Sequence, residues 1–560
     1  MTDQTNTIRD HSVVNGGSYY WPTTAHRRNP ARERLMLTVA DKLADVLPNI
    51  PHPPNPDIPL TRNDVWCTRM WYITSPTPDY FGQELAMWQS CRDYGMEHLN
   101  IRLHCNINRM YWPERFDEPI TFIKPFATPD IGGDEALAAF CQDIKGLGYR
   151  IGLYTNAVLL SEMSFDAWDE DMMNQDPNGR WLYGFGNTNQ TKTSRLLPLQ
   201  RKWYPRYAEQ FAPTCAYHDQ ITSPPCWRYT DYDARAPEAG KFSATWRVFA
   251  ESLREVRKEF GPVLSEGATH LFFAGLCDSY AQPQRWTMNV IPDFNLRKIH
   301  PLSNDCGYGL SLVEEKANYG DKHFAHKLLA YEYAYGSIGH IADCYYGAPR
   351  SSATPAMIAS YFLIQPMQKF YAGVKIKEIL YNVDGQYLPF EAAVKAGTLS
   401  RNQVKLIYEN GLEIAANLNA SENMSVTLNG MPFELPPDGF AAVTADRQNL
   451  ACSALMNGQR VDMCLCTQDG LLYCDNAPAN PLFHANGAYL LKRLPDNIIE
   501  LTPAPFTAEE TVSIAFNAPA VVVERYARDG KLLGTDTLPV ANGHLALPIT
   551  QETFKYVLKK

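Results

Sequence analysis

The chain has 560 residues and a formal net charge of −10 at pH 7, with 45% hydrophobic and 20% charged residues. This length supports two to four domains with a large core, and the composition is that of a globular protein. The negative charge argues against a nucleic-acid backbone or an anionic membrane as a partner. The 13 cysteines are irregularly spaced, which favours reduced thiols over a disulfide framework. No stretch resembles a signal peptide or a membrane span, so we expect a cytoplasmic protein.

Strand and helix patterns alternate over residues 61–374. The predicted strands are 65–73, 98–104, 149–156, 215–219, 262–267, 287–294 and 338–346, and the predicted helices are 81–94, 132–147, 242–260, 321–335 and 355–371. Repeated strand–helix units predict a parallel sheet, and their number favours a (β/α)8 TIM barrel. No GxGxxG follows the first strand and no GxxxxGK[ST] occurs, which argues against a nucleotide-binding fold.

Two further regions flank the predicted barrel. Residues 1–60 read as an N-terminal extension that ends in the proline-rich linker PNIPHPPNPDIP. After residue 375, short alternating strands are separated by Asn-Gly and Asp-Gly turns, which are typical of hairpins. The sequence therefore predicts a β-sandwich over 375–500 and a small β domain over 501–560, so the fold class is an α/β barrel followed by all-β domains.

In a (β/α)8 barrel, the functional groups lie at the C-terminal ends of the strands. The polar residues that end the predicted strands are Arg102, His104, Tyr154, Asn156, His218, Asp219, Glu266, Asp293, His340 and Asp343. Asp219 and Glu266 end two strands that follow one another in the chain, and adjacent strands present their ends side by side. We therefore expect these two carboxyl groups to face each other.

A pair of carboxyl groups at neighbouring strand ends suits glycoside hydrolysis. One group attacks the anomeric carbon and the other protonates the leaving oxygen, and a separation of roughly 5–5.5 Å gives retention of configuration. Asp219 lies between polar residues and is expected to stay ionised, which favours the role of nucleophile. Glu266 follows an apolar strand that should raise its pKa, as a proton donor requires.

The order of motifs strengthens this interpretation. YHDQ, a Pro-Pro-Cys loop, an Asp-rich segment with a following helix, and then LSEGATHLFFAGLCDSYAQ resemble a bacterial glycoside-hydrolase-like barrel family. This family is distantly similar to endo-α-N-acetylgalactosaminidases and α-galactosidase-like barrels, and the resemblance covers residues 60–373. It implies that Asp219 is the nucleophile, that Glu266 is the proton donor, and that the substrate carries an α-linked, galactose-type sugar.

The loop after Asp219 is rich in aromatic and acidic residues that could contact a sugar. Tyr and Trp faces could stack on the ring, and Asp231 or Asp233 could hold its hydroxyl groups. The predicted substrate-binding residues are Arg102, His104, Tyr154, Asn156, His218, Trp227, Tyr232, Asp233, Asp278 and Asp343. The expected partner is an oligosaccharide or glycoside, and the sequence leaves the oligomeric state open, a homo-oligomer included.

Structural interpretations of the two acids stand beside the catalytic ones. Asp219 could cap its loop through an Asx-turn, and Glu266 could cap the loop at Gly267. Asp278 could replace Glu266 as the acid. Arg102 and His104 could form a buried ion pair with Asp219 instead of contacting substrate.

Two other functions also remain open. A metal-dependent barrel hydrolase would need a cluster drawn from His104, His218, Asp219, His340 and Asp343. Neither HxH after the first strand nor HExxH occurs, so the sequence predicts no metal and no other cofactor. A carbohydrate-binding barrel without turnover is the other alternative, but a pure binding protein does not need a pair of acids at neighbouring strand ends.

Overall fold

The computed structural model describes residues 21–30, 36–49, 53–69, 77–103, 126–161, 164, 168–184, 188–223, 225–267, 269–281, 289–298, 322–341, 352–477, 480 and 482–560. The helices are α1 (Leu43–Val46), α2 (Ile58–Thr61), α3 (Tyr80–Asp93), α4 (Gly133–Gly146), α5 (Thr193–Phe211), α6 (Phe242–Phe260), α7 (Lys322–Tyr335), α8 (Pro355–Phe362), α9 (Gln365–Gln368) and α10 (Phe390–Ala396). Within the described residues, no helix is long and apolar enough to cross a membrane.

Parallel strands form the centre of the first half of the chain. The strands of this half are β1 (Val65–Arg69), β2 (Leu99–Leu103), β3 (Arg150–Thr155), β4 (Leu159–Leu160), β5 (Asn189–Gln190), β6 (Cys215–Thr222), β7 (Val263–Gly267) and β8 (Ser279–Ala281). Six of them pair in the order β1-β2-β3-β6-β7-β8, and each neighbouring pair is parallel. β4 and β5 form a separate antiparallel pair within the insertion that follows β3.

The six-stranded sheet is buried on both faces, as parallel sheets with flanking helices are. One face packs against the helices. The other face forms an enclosed apolar layer that consists of Trp66, Tyr154, Tyr217, Leu264, Ile338 and Ala372. Trp66 also makes a parallel bridge to His340, so a further extended segment lies beside β1 on the side away from β2. The arrangement agrees with a barrel, and closure with eight strands stays a prediction because residues 282–288 and 299–321 lie outside the described residues.

Proline explains three differences between the predicted and the observed elements. Residues 289–294 were predicted to end a strand, but they form no strand, and a 3-10 turn spans Pro292–Asn295. The predicted helix 355–371 is divided into α8 and α9, and Pro366 lies at the start of α9. α5 was not predicted, since it contains two prolines. A proline inside a helix removes a backbone hydrogen bond, which hides such a helix from sequence patterns.

The second half of the chain is dominated by one large sheet. Its strands and its covering hairpin are β9 (Ile376–Val383), β10 (Gln386–Leu388), β11 (Gln403–Tyr408), β12 (Glu413–Asn417), β13 (Met424–Leu428), β14 (Met431–Leu435), β15 (Gly439–Val443), β16 (Asn449–Met456), β17 (Gln459–Cys466), β18 (Leu471–Ala477), β19 (Phe483–Arg493), β20 (Ile499–Pro503), β21 (Thr511–Ala515), β22 (Ala520–Tyr526), β23 (Leu532–Ala541), β24 (His544–Pro548) and β25 (Lys555–Lys559). The order of the 15-stranded sheet is β10-β9-β11-β12-β15-β16-β17-β18-β19-β20-β25-β22-β23-β24-β21, and β13 pairs with β14 alone. Hydrogen bonding passes from β19 through β20 to β25, so the sheet is continuous across residue 500.

Helix α7 joins the two halves of the molecule. Apart from Lys327, its residues from Phe324 to Tyr335 are buried, and the apolar ones belong to a core that also contains residues of the parallel sheet and of β11, β12 and β15. Near its N-terminal end, His326 hydrogen-bonds to Asp462 at 2.7 Å, and Lys322 pairs with Asp475 at 2.7 Å. The parallel sheet and the large sheet therefore share one core around this helix.

Candidate active site

Asp219 and Glu266 lie side by side at the C-terminal ends of adjacent parallel strands. The register pairs His218 with Ser265, and then shifts so that Thr222 pairs with Gly267. Each acid directly follows a paired residue, and a hydrogen bond joins the two side chains. Asp219 is 6% exposed, whereas Glu266 is partly accessible.

Asp219 is held by two tyrosine hydroxyl groups. Tyr154 donates to Asp219 Oδ2 at 2.7 Å, and Tyr217 donates to Oδ1 at 3.2 Å. Tyr154 and Tyr217 are register partners on β3 and β6, and their ring centroids lie 5.6 Å apart. Two hydroxyl donors stabilise the ionised form of a buried carboxyl group.

Asn156 completes the surroundings of the Asp219 carboxylate. Its Nδ2 donates to the Tyr154 hydroxyl at 3.0 Å and reaches Asp219 Oδ2 at 3.4 Å. Its Oδ1 accepts hydrogen bonds from the backbone N–H groups of Val158 and Leu159, both at 3.1 Å. These backbone contacts fix the orientation of the amide, so its nitrogen faces the acid.

The environment separates the two acids in pKa. Burial raises the pKa of Asp219, and hydrogen bonds from Tyr154, the backbone of Gln220 and Tyr217 act in the opposite direction. Burial and then the charge of Asp219 raise the pKa of Glu266 to about 8. Both acids therefore hold a proton more tightly than an ordinary carboxyl group does, and the hydrogen bonds to Asp219 favour Glu266 as the protonated member of the pair.

Gln220 is part of this site, although the sequence did not single it out. Its Nε2 donates to Glu266 Oε2 at 2.8 Å, and its Oε1 accepts from the Tyr229 hydroxyl at 3.2 Å. Gln220 has a positive φ of 65°, which is uncommon for a residue other than glycine. No sequence pattern predicts that backbone conformation. The only available signal was its position directly after Asp219.

His218 does not lie with the acids. Its ring contacts the Thr155 hydroxyl at 2.9 Å, the Gln200 amide at 3.1 Å and the Ser252 hydroxyl at 2.8 Å. Gln200 and Ser252 belong to α5 and α6, so His218 faces the helices from the opposite side of β6. Burial lowers its pKa to about 3, which keeps the ring neutral. This position corrects the expectation that His218 contacts substrate.

The same orientation bears on the metal-site alternative, whose candidate ligands include both His218 and Asp219. Successive residues of a strand face opposite sides of the sheet, and these two do so here. Within the described residues, no group of three or more His, Cys, Asp and Glu side chains is arranged to hold a metal ion. His104 and Asp343, which the sequence added to that cluster and to the substrate-binding set, lie outside the described residues.

Asp278 lies at the other end of β7 from Glu266. Its carboxylate accepts a hydrogen bond from the backbone N–H of Val263, the first residue of β7, and pairs with Arg257 at 3.0 Å. Glu266 is near the last residue of the same strand. The structure thus contradicts both roles predicted for Asp278, as a substrate-binding residue and as a substitute for Glu266.

Arg102 lies deep inside the parallel sheet. It is register partner to Gly152, which in turn pairs with Cys215, four residues before Asp219. Its guanidinium stacks over the Trp66 ring at 3.2 Å and donates to the backbone oxygen of Ala216 at 2.9 Å. Four residues of strand correspond to roughly 13 Å, so Arg102 supports the interior below the acids. Its predicted contact with substrate does not fit this position.

The remaining strand-end candidates also have structural partners. Asp293 accepts a hydrogen bond from the Tyr381 hydroxyl at 2.5 Å and pairs with Lys298 at 3.4 Å, so it ties a turn to the large sheet. His340 Nδ1 contacts the backbone oxygen of Ile341 at 2.9 Å, and burial lowers the pKa of its ring to about 4.

The loop after β6 carries two aspartates with different surroundings. Asp233 accepts from Lys192 at 2.8 Å and from Arg235 at 2.7 Å, and these cations hold its pKa well below its usual range. Asp231 Oδ1 accepts backbone N–H groups of Gln175 and Asp233 at 3.0 and 3.1 Å. Asp231 Oδ2 is buried and has no hydrogen-bond partner within the described residues. Of the two, Asp231 keeps an oxygen that could accept from a sugar hydroxyl, whereas the predicted binding residue Asp233 is engaged in ion pairs.

Aromatic residues of this loop pack towards the segment that follows Glu266. Trp227 lies in a 3-10 turn (Cys226–Tyr229), and its ring meets Phe272 edge to face at 6.2 Å. Phe272 is 47% exposed and accepts a hydrogen bond at its backbone oxygen from Trp246 Nε1 at 3.0 Å. Tyr232 is buried, and its backbone N–H donates to the Gln175 oxygen at 2.9 Å. Trp227 thus connects the loop after Asp219 to the segment after Glu266, whereas the Tyr232 side chain is buried.

An N-terminal segment anchors the same loop from outside. The backbone N–H of Thr24 donates to the Tyr232 oxygen at 2.9 Å, and the Thr24 hydroxyl accepts from the Ala234 N–H at 3.0 Å. Asn29 Nδ2 donates to the Ala239 oxygen at 2.8 Å. The predicted extension therefore contributes residues 21–30 to the wall around the loop that carries Asp231.

No family model and no curated protein matches the chain. Solved structures of glycoside hydrolases are similar to it at low sequence identity. The alpha-N-acetylgalactosaminidase NagBb from Bifidobacterium bifidum is 12% identical, with a TM-score of 0.46 over 65% of this chain and 57% of that one. An alpha-amylase from Geobacillus thermoleovorans is 12% identical, with a TM-score of 0.39 over 90% and 99%. TtGalA, an alpha-galactosidase from Thermus thermophilus, is 12% identical, with a TM-score of 0.28 over 42% and 47%.

Proposed function

We propose that the protein is a retaining glycoside hydrolase with Asp219 as the nucleophile and Glu266 as the acid and base. The observation that carries this proposal is the contact between two buried acids with different hydrogen-bond partners at adjacent strand ends. Tyrosine hydroxyl groups stabilise Asp219 as a carboxylate, and the pKa of Glu266 is raised to about 8. A structural cap would need neither the shared hydrogen bond nor the separation of the two pKa values.

The first step uses both acids together. Asp219 Oδ forms a bond to the anomeric carbon as the bond from that carbon to the glycosidic oxygen breaks. Glu266 gives its proton to the glycosidic oxygen, which leaves as an alcohol. The products of this step are a glycosyl ester on Asp219 and an ionised Glu266.

The second step reverses the roles. The Glu266 carboxylate takes a proton from a water molecule while the water oxygen attacks the anomeric carbon, and Asp219 leaves as a carboxylate. The charge of Asp219 is one of the causes that raise the pKa of Glu266. Because the ester removes this charge, the pKa of Glu266 falls when the ester forms. The lower pKa favours ionised Glu266, the form that a base requires.

Retention fits the short distance between the acids. An inverting pair stands roughly 6.5–9.5 Å apart, since a water molecule must fit between carboxylate and sugar. Here the two side chains are in hydrogen-bond contact. This contact supports the closer spacing of a retaining pair over the wider spacing of an inverting pair.

We propose an α-linked, galactose-type sugar as the substrate. Support comes from the motif order around Asp219 and Glu266, which resembles the endo-α-N-acetylgalactosaminidase and α-galactosidase-like barrels. The free oxygen of Asp231 offers an acceptor for one sugar hydroxyl. Trp227 lies on the same loop and could pack against the ring.

Hydrolysis of aryl glycosides tests the assignment. A panel of α- and β-linked substrates is assayed with wild type, Asp219→Asn and Glu266→Gln, and the anomeric configuration of the first product is read by NMR. We expect turnover of an α-galactose-type substrate with retention. An activated aryl leaving group should restore the first step in Glu266→Gln but not in Asp219→Asn.

Inversion of configuration would reject the mechanism, and turnover that persists in Asp219→Asn would reject the nucleophile. Glycan binding by wild type without turnover of any aryl or oligosaccharide substrate would favour the carbohydrate-binding alternative.

A further inference from the structure

Gln220 breaks the regular alternation of β6 at the point where the strand carries Asp219. In an undisturbed strand, Gln220 would share the helix-facing side with His218. Instead, the register of β6 against β7 shifts between His218 and Thr222, and Gln220 has a φ of 65°. Strand irregularities of this kind redirect a side chain. The result is that the Gln220 side chain reaches Glu266.

A backbone conformation that costs energy persists only when its surroundings hold it. Both ends of the Gln220 amide are held, because Nε2 donates to Glu266 Oε2 at 2.8 Å and Oε1 accepts from Tyr229 at 3.2 Å. The Thr222 hydroxyl also donates to the backbone oxygen of Glu266. The residues after Asp219 are thus fastened to the strand that carries the second acid.

We propose that Gln220 is a positioning residue that determines which oxygen of Glu266 carries the proton. An amide N–H can only donate, so the oxygen that it contacts, Oε2, must act as an acceptor. The carbonyl oxygen of a carboxylic acid is its stronger acceptor, so this contact favours the proton on Oε1, the oxygen that the Gln220 amide does not contact. This inference rests on the proposed function, because only a proton donor needs its proton directed.

Tyr229 has a distinct part in this arrangement. Its hydroxyl donates to Gln220 Oε1, so the amide presents its nitrogen, and not its oxygen, to Glu266. Among the described residues, Asp219, Gln220 and the Ser223 hydroxyl lie next to the Glu266 carboxyl group. The charges of Asp219 and Glu266 both act on Tyr229. The Ser223 hydroxyl can donate or accept, so it can hydrogen-bond to a Glu266 oxygen with or without a proton. The Gln220 amide N–H can only donate, so it favours one position of the proton.

Gln220→Gly is the informative variant. Glycine accepts a positive φ without strain, so this change removes the amide and keeps the backbone. Gln220→Glu is the isosteric partner, since it replaces the donor with an acceptor. Tyr154→Phe is the matched control, because it removes a donor from the nucleophile and leaves the acid untouched. Circular dichroism and thermal unfolding confirm that each variant is folded.

The first readout is the rate for a series of aryl glycosides whose leaving groups become less acidic. For Gln220→Gly we expect the rate to fall about 10- to 100-fold with the poorest leaving group and less than about 3-fold with the best. The larger loss is a part of the rate enhancement that general acid catalysis usually gives. Gln220→Glu should show the same dependence, and Tyr154→Phe should lose a similar factor with all substrates. A uniform loss in Gln220→Gly, or none, would overturn the proposal.

The second readout does not need turnover. The Glu266 carboxyl is followed by 13C NMR in protein labelled at glutamate, and its signal is assigned by its absence in Glu266→Gln. Loss of the Gln220 donor removes a hydrogen bond to the ionised form, so the pKa of Glu266 should rise by about one unit in Gln220→Gly. An unchanged pKa would overturn the positioning role, even if no glycoside were hydrolysed. A raised pKa in a protein without turnover would reject the proposed function alone.

Discussion

The hydroxyl of Tyr154 lies 2.7 Å from Asp219 Oδ2, and the two residues are on adjacent parallel strands. Tyr154 is the register partner of Tyr217, and Asp219 follows Tyr217 by two residues on the same face of β6. The hydrogen bond is therefore directed by the strand register and does not depend on a loop. Gly152 makes this close approach of β3 and β6 feasible, since a Cβ there would lie 2.8 Å from Cys215 Sγ and 2.9 Å from its backbone oxygen.

Tyr154→Phe should weaken the nucleophile without disturbing the ring packing. Removal of the hydroxyl takes one hydrogen bond from the Asp219 carboxylate, which costs about 1.5–3 kcal/mol for a bond to a charged group. We expect kcat/KM to fall about 10- to 100-fold, and the acidic limb of the pH profile to move to higher pH as the pKa of Asp219 rises. Tyr217→Phe, whose hydrogen bond is 3.2 Å long, should show the same direction with a smaller change. A larger effect at Tyr217 would contradict the assignment of Tyr154 as the main donor.

The rate should depend on pH through both acids. Glu266 must be protonated to act, and its pKa is raised to about 8, so activity should decline as the pH rises through that value. Activity should also decline at acidic pH, because Asp219 must be ionised. A bell-shaped profile of kcat/KM reports these values for the free enzyme. In Glu266→Gln with an activated aryl substrate, the alkaline limb of the pH profile should disappear. If the limb persists, a group other than Glu266 causes it.

The stability of the fold should depend on the same acid. Between its ordinary pKa of 4.5 and about 8, folded protein keeps a proton on Glu266 that the unfolded chain releases. Stability from this group is therefore lost as pH rises through that window, by at most about 5 kcal/mol for a shift of this size. A glutamine amide can accept from Gln220 and donate to Asp219, as the protonated acid does. Glu266→Gln should thus unfold at a higher temperature than wild type at pH 8, and the difference should vanish near pH 4.5. Equal unfolding temperatures of variant and wild type at both pH values would count against the raised pKa.

Asp231→Asn and Asp233→Asn should separate substrate binding from structure. Asp231→Asn keeps Oδ1 for the two backbone N–H groups and replaces the free oxygen with a donor. We expect KM to rise about 10-fold, with kcat and the unfolding temperature little changed. Asp233→Asn weakens the ion pairs to Lys192 and Arg235, so it should lower the unfolding temperature first. An unchanged KM in Asp231→Asn would show that no sugar hydroxyl uses this oxygen.

The side-by-side position of the two acids could be predicted from the sequence, because it follows from chain order and strand ends alone. The opposite orientation of His218 could have been predicted too, since a strand residue next to Asp219 must face the other side. The position of Asp278 was wrongly predicted for a different reason. Its strand, β8, begins directly after it and spans only Ser279–Ala281, so no periodic pattern marks Asp278 as the residue before a strand.

Other parts of the site could not be predicted from sequence patterns. The contact of Gln220 with Glu266 depends on a positive φ and a shift of register, and neither leaves a signature in residue types. The two prolines of α5 concealed the helix that supplies Gln200 to His218. The free oxygen of Asp231 and the ion pairs of Asp233 depend on Gln175 and Lys192, which lie about 40 to 60 residues away in the chain.

The contacts of Thr24 and Asn29 with the loop at 232–239 matter for anyone who engineers this chain. A shortened version that starts after residue 30 would retain every strand of the parallel sheet and still lose the outer support of Asp231. Its purification and unfolding could look normal while its affinity for sugar falls. An affinity tag or fusion partner is better attached after Lys560, which is exposed and directly follows β25.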